Sequence, residues 1–280
     1  MPRRRLALGL APRPALRPAL ALAGSLAAAA ALCTHAPLAV YASVAGVAAL
    51  GGALAALGRP WAALAGRGLL WTSLAFATLF TSFGDASWTL TAAALALCGA
   101  LAALGRHGLD DPGAAFQPSH HRGPLTLALV LGFADVATLT WWTAIAASDG
   151  SAPALRCAVG FGAIAALIAA SLVGLYRLRT WGFLLNLTVN LAVVGLMAVD
   201  AFRLSIGRLV FVVPAVAQLA LATPVLIAIV RRRPLAWPAP LARLGAAIPA
   251  ITIAVMAALN VQPWFGEPAL RVLVRRLAGG

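Results

Sequence analysis

A chain of 280 residues with 62% hydrophobic and only 10% charged residues lies well below the roughly 25% charge of soluble domains. Its apolar residues come in blocks of about 20, the length a helix needs to cross a hydrocarbon core of roughly 30 Å, and the alternation of a membrane β-barrel is missing. The formal charge of +14 comes from 21 basic residues, all arginine; set between apolar blocks, they read as positive loops of a membrane protein, which argues against nucleic-acid binding.

The expected fold is therefore all-α, a polytopic integral membrane helical bundle of about nine transmembrane helices with short loops. Residues 1–14 form a short basic N-terminus. The first candidate span, 15–34, sits behind four arginines and imitates a signal peptide, down to an "AALC" that resembles a lipoprotein cleavage site. Leu32 occupies the position before Cys33 where a small residue is wanted, and further spans follow. An uncleaved first helix is the expectation.

Spans 37–57, 62–83 and 88–105 come next, separated by breakers such as "THAP" and "GDAS". Alanine dilutes the first span and Arg67 interrupts the third, so eight or even seven spans stay open beside nine. The loop 106–123 is the longest connection and leaves no room for a soluble domain; the chain reads as one domain over 1–280. Spans 124–146, 153–176, 181–201, 208–230 and 242–262 complete the series. The tail 265–280, with "PALRVLVRRLAGG", reads as a basic amphipathic helix lying at the interface.

Orientation follows from the arginines. With the N-terminus cytoplasmic, fifteen arginines fall inside and six outside, the bias of a bacterial-type inner membrane protein. The inner arginines are expected to meet anionic lipids. Three cysteines, Cys33, Cys98 and Cys157, are too few and too scattered for a disulfide framework.

Small residues recur every fourth position in two spans: Ala48, Gly52 and Ala56 in the second, and Ala158, Gly162, Ala166, Ala170 and Gly174 in the sixth. Such rows let helix backbones approach closely. Their expected occupants are neighbouring helices, a second copy of the chain or another membrane partner.

Polar residues inside apolar runs are the candidate site. On a helix turning about 100° per residue, Asn186, Asn190, Gly182 and Asp200 fall within about 80° of one another. Asp135 lies at the centre of the fifth span, Asn190 near the centre of the seventh and Gln218 near the centre of the eighth. A carboxylate at that depth costs about 2.5–3.5 kcal/mol on insertion scales. Asp135 is therefore expected to meet Asn186, Asn190 or Gln218 across a helix interface. Such a cluster is either polar glue between helices or a binding point for a proton or small solute. Pro214, Pro224 and Pro249 offer the broken helices that transporters use. Asp200, three residues before Arg203 and level with Arg156, suggests an ion pair at the outer interface.

The loop 106–123 concentrates His107, Asp110, Asp111, His120 and His121, residue types able to bind a divalent metal. Its Gly- and Pro-rich spacing fits no compact metal signature, and a solvated loop is the plainer reading. No histidine lies at mid-span where a haem ligand is wanted. No cofactor is called for, and the sequence carries no phosphate-binding loop, aspartate-rich diphosphate motif or protease motif. Three functional readings follow. The leading one is a non-enzymatic membrane assembly or partner-binding protein; the others are a small-solute or proton-coupled transporter using Asp135, and a membrane enzyme working at the inner loop.

Overall fold

The structure, a computed structural model, describes residues 16–35, 39–83, 87–105, 122–198, 206–231 and 239–265. Among these, nine α-helices follow one another: α1 Leu16–His35, α2 Ala39–Ala56, α3 Pro60–Phe83, α4 Trp88–Leu104, α5 Arg122–Asp149, α6 Ala152–Tyr176, α7 Thr180–Ala198, α8 Ile206–Arg231 and α9 Ala239–Val261. A 3₁₀ turn, Gln262–Trp264, ends the described chain. Six helices are long and apolar enough to cross a membrane. The helices α2, α4 and α7, with 18, 17 and 19 residues, lie at the short end of the range that spans, about 17–25.

Local chemistry sets the helix ends. Ser151 caps α6 by accepting the Ala154 amide, with proline in the first turn. The α6–α7 turn is a Schellman motif: Arg179 N–H reaches Gly174 O and Leu178 N–H reaches Leu175 O. Leu178 fills the left-handed position, φ +53°, usually given to glycine. Its side chain packs against the neighbouring core, which offsets that conformational cost.

The helices form two four-membered rings. In the first, α1 packs on α2, α2 on α3, α3 on α4, and α4 closes on α1; in the second, α5 through α8 repeat that order. An up-and-down four-helix bundle is what short loops between antiparallel neighbours produce. The first core is largely alanine and leucine, for example Ala28, Leu32, Ala48, Leu74 and Leu97; the second centres on Leu129, Ile168, Leu172 and Phe183. The main junction is α3 on α5, while α9 lies across α4 and α3.

Close approach substitutes for the hydrophobic drive that lipid removes. A methyl group on Gly66 would stand 2.5 Å from the Gly51 carbonyl of α2, and one on Gly68 would stand 2.6 Å from Phe133 of α5. Gly174 and Gly182 bring α6 and α7 together so tightly that a methyl on either would overlap the other's backbone.

The surface shows which solvent the fold is built for. Large apolar side chains point outward all round, including Leu50, Leu95, Val159, Leu184, Val213 and Ile251, while Ser25, Thr81, Ser171, Asn186, Gln218 and Asn260 are completely buried. That is the reverse of a soluble globule and the arrangement lipid requires. Exposed tryptophans sit at helix ends, Trp61 and Trp181 at one side and Trp88 and Trp264 at the other, as belts at the two membrane interfaces. Pro214 and Pro224 lie inside α8, and Pro249 inside α9, yet both helices run unbroken. Packed neighbours and local adjustment accommodate proline in such spans, so no discontinuous helix arises here.

Candidate functional site

In the second ring, each helix contributes at least one side chain to a continuous hydrogen-bonded chain. Gln218 of α8 donates its Nε2–H to Asp135 Oδ2 of α5. Its other end, Oε1, accepts from Asn186 Nδ2 of α7 at 3.0 Å. Asn186 Nδ2 also donates to Ser171 Oγ of α6 at 3.3 Å, and that hydroxyl donates to Ile168 O at 2.7 Å. Asn190 joins from one turn along α7, its Nδ2 donating to Asn186 O at 2.8 Å. Asn186, Gln218 and Ser171 are fully buried, Asn190 nearly so, and Asp135 half-buried.

The backbone positions this layer. Asn186 and Asn190 share a face because they are one turn apart. Gly132, one turn before Asp135, leaves room for Leu172 and for Gln218, whose Oε1 would stand 3.3 Å from a methyl placed there. Asp135 is held on a braced stretch of α5: Ala134 O accepts hydroxyl bonds from Thr138 at 2.9 Å and from Thr72 of α3 at 3.0 Å. Two buried acceptors remain without donors, Asn186 Oδ1 and Asn190 Oδ1. A cavity of about 20 Å³ borders Asp135, Thr138 and Asn190. The layer thus offers a carboxyl group and surplus amide oxygens in an otherwise apolar bundle.

No known family model, curated protein or solved structure matches this chain.

Other positions singled out in the sequence fare differently. Arg156 is exposed at the start of α6, with Nε donating to Ala152 O at 3.4 Å; Asp200 and Arg203 lie outside the described residues. So do His107, Asp110, Asp111, His120 and His121. Among the described residues no group of three or more His, Cys, Asp or Glu side chains is placed to hold a metal. Cys33 and Cys157 are exposed and Cys98 is buried; all three are free.

Three polar features were not legible beforehand. Ser171 is one, an ordinary serine until α7 is laid against it. A second is a knot around Asn260 of α9, whose Nδ2 donates to Thr78 of α3 at 2.8 Å, while Thr91 of α4 accepts from Trp264 Nε1 at 2.9 Å and donates to Asn260 O at 3.3 Å. This knot pins α9 to the first ring. The third is Arg67, buried in α3, whose guanidinium donates to Gly105 O at 2.9 Å and Leu104 O at 3.4 Å. It caps the C-terminus of α4, where the helix dipole favours a cation. An arginine inside an apolar run was the available signal; its partner was not.

Proposed function

We propose that the chain is a non-enzymatic integral membrane protein of assembly, in which an internally bonded α5–α8 bundle presents an uncovered helix face to another membrane helix. The observation that supports this is the layer itself. Asp135, Gln218, Asn186 and Ser171 are linked in series by hydrogen bonds, one residue per helix, which ties the bundle together. On the outside, α6 leaves Gly160, Ala163, Ala166 and Ala170 exposed. A second copy of the chain can approach closely there. The arginine distribution supports a bacterial-type inner membrane with the N-terminus cytoplasmic and anionic lipid at the inner arginines.

The test is self-association in a lipid bilayer, read by energy transfer between two differently labelled populations. Transfer is expected for the native chain, retained by Asp135→Asn and lost on replacing Ala166 and Ala170 together by phenylalanine. A native chain that stays monomeric at high protein-to-lipid ratio would count against a homo-oligomer.

A second reading, transport coupled to Asp135, is favoured by the cavity beside that carboxyl group. Reconstituted vesicles distinguish the two: solute-dependent proton movement abolished by Asp135→Asn would establish transport. An enzyme working at 106–123 would rest on residues outside those described, and a melting temperature raised by added divalent metal is its sign.

A further inference from the structure

The cavity between α5, α6, α7 and α8 has an unusual lining. Ile168, Phe211 and Ala215 supply apolar walls, and its polar groups are Asp135, Thr138 and Asn190. Each of the three has acceptor capacity to spare. Asn190 is 1% exposed; its Nδ2 donates one hydrogen to Asn186 O, and its Oδ1 has no donor. Thr138 spends its hydroxyl hydrogen on Ala134 O, leaving oxygen lone pairs. Asp135 takes a hydrogen bond on Oδ2 from Gln218, a neutral amide that supplies no compensating charge.

A set made only of hard oxygens selects hard cations. One carboxylate among two neutral oxygens matches a single positive charge, and a divalent ion would leave an excess charge in the bilayer core. The volume, about 20 Å³, holds one particle the size of a water, which admits a bare sodium or potassium ion and excludes an organic cation such as choline. A water molecule would satisfy Asn190 Oδ1, but the carboxyl group would then have to take up a proton or bear a cost of about 2.5–3.5 kcal/mol at mid-membrane depth. A small cation answers both needs.

We propose that this cavity binds one small monovalent cation, sodium or potassium, through the Asp135 carboxylate, Asn190 Oδ1 and Thr138 Oγ1. The site does not depend on the assembly reading. In a transporter it would be a coupling-ion site; in an assembly protein it would be a structural ion that locks α5 to α7.

The experiment is thermal unfolding of the purified full-length chain in lipid nanodiscs, titrated with sodium chloride. Potassium chloride is titrated in the same way and choline chloride is the control, at constant pH and ionic strength. A saturable rise in melting temperature with sodium or potassium, and none with choline, is expected, as linkage requires of an ion bound only by the folded state. Thr138→Val is expected to shift half-saturation at least tenfold upward, and Asp135→Asn to abolish the response. The Thr138 hydroxyl bonds only its own helix, so Thr138→Val decides the matter even where Asp135→Asn fails to fold. Equal responses to the three salts would overturn the proposal. So would a sodium or potassium response unchanged in Thr138→Val, or a response to pH alone, which would assign a proton to the carboxyl group instead.

Discussion

Asp135 shows how one side chain is constrained by its neighbours. Gln218 Nε2 needs an oxygen at that position, and Asp135→Asn keeps one, whereas Asp135→Leu leaves a buried donor without an acceptor. In bicelles free of sodium and potassium, Asp135→Asn is expected to change unfolding free energy by no more than about 0.6 kcal/mol, the usual worth of such contacts in a bilayer. Asp135→Leu is expected to cost about 1–3 kcal/mol. Equal losses for the two would contradict the hydrogen-bonding role. Part of this was legible in the sequence: helical period places Asn186 and Asn190 on one face, and the hydropathy of the surrounding run puts Asp135 deep. The partners were not, because Gln218 lies 83 residues from Asp135 and 32 from Asn186. Periodicity describes a face; only the packing of α5, α7 and α8 says what that face meets.

Among the elements, helix positions were the most legible feature, since Pro, Gly and Arg breakers bound apolar runs whose length the bilayer dictates. The row of small residues along α6 was less so. It reads as one continuous face, yet the structure buries Ala158 and Gly174 and leaves Ala166 and Ala170 outward. A step of four residues advances about 40° round a helix, so five members wind through about 160°. The row faces α5 near Gly162, which lies 3.6 Å from Thr143 as measured to an added methyl, and faces α7 at Gly174. Between them it passes across the outside. Gly174→Val should accordingly separate α6 from α7 and cost at least about 1–3 kcal/mol by overpacking, while Ala170→Val should fall within about 0.5 kcal/mol. Unfolding of both variants in bicelles checks this, and a tolerated Gly174→Val would refute the close crossing.

Across the whole molecule, the two rings share a neighbour order although residues 1–140 and 141–280 show no evident sequence repeat. Short loops explain the shared order without shared ancestry, and the boundary between rings falls at the 106–121 connection, before α5. This helix carries the junction. Besides the Thr72 bond to Ala134 O, Trp141 Nε1 donates to Ser43 Oγ of α2 at 2.7 Å. Aromatic contacts run from His35 and Tyr41 through Phe80, Phe76, Trp141, Trp142 and Phe211 to Phe161, from the first ring into the second. If all nine helices span, the two termini lie on opposite sides of the membrane. Reporter fusions are then expected to show a cytoplasmic N-terminus and an external C-terminus; both ends on one side would mean that one of the shorter helices does not cross. Composition announces the membrane class, but the ring order depends on which helix faces meet, and hydropathy averages over faces.

The most direct test of the polar layer as the tie between helices is a double-mutant cycle on Asn186→Leu and Gln218→Leu, by equilibrium unfolding in lipid bicelles. Both side chains are completely buried and bonded to each other at 3.0 Å. A favourable coupling energy of about 0.6 kcal/mol, and up to about 1.7, is the predicted result. Strictly additive losses would show that the two amides do not act together, and would contradict the layer as the element that binds α5, α6, α7 and α8 into one bundle.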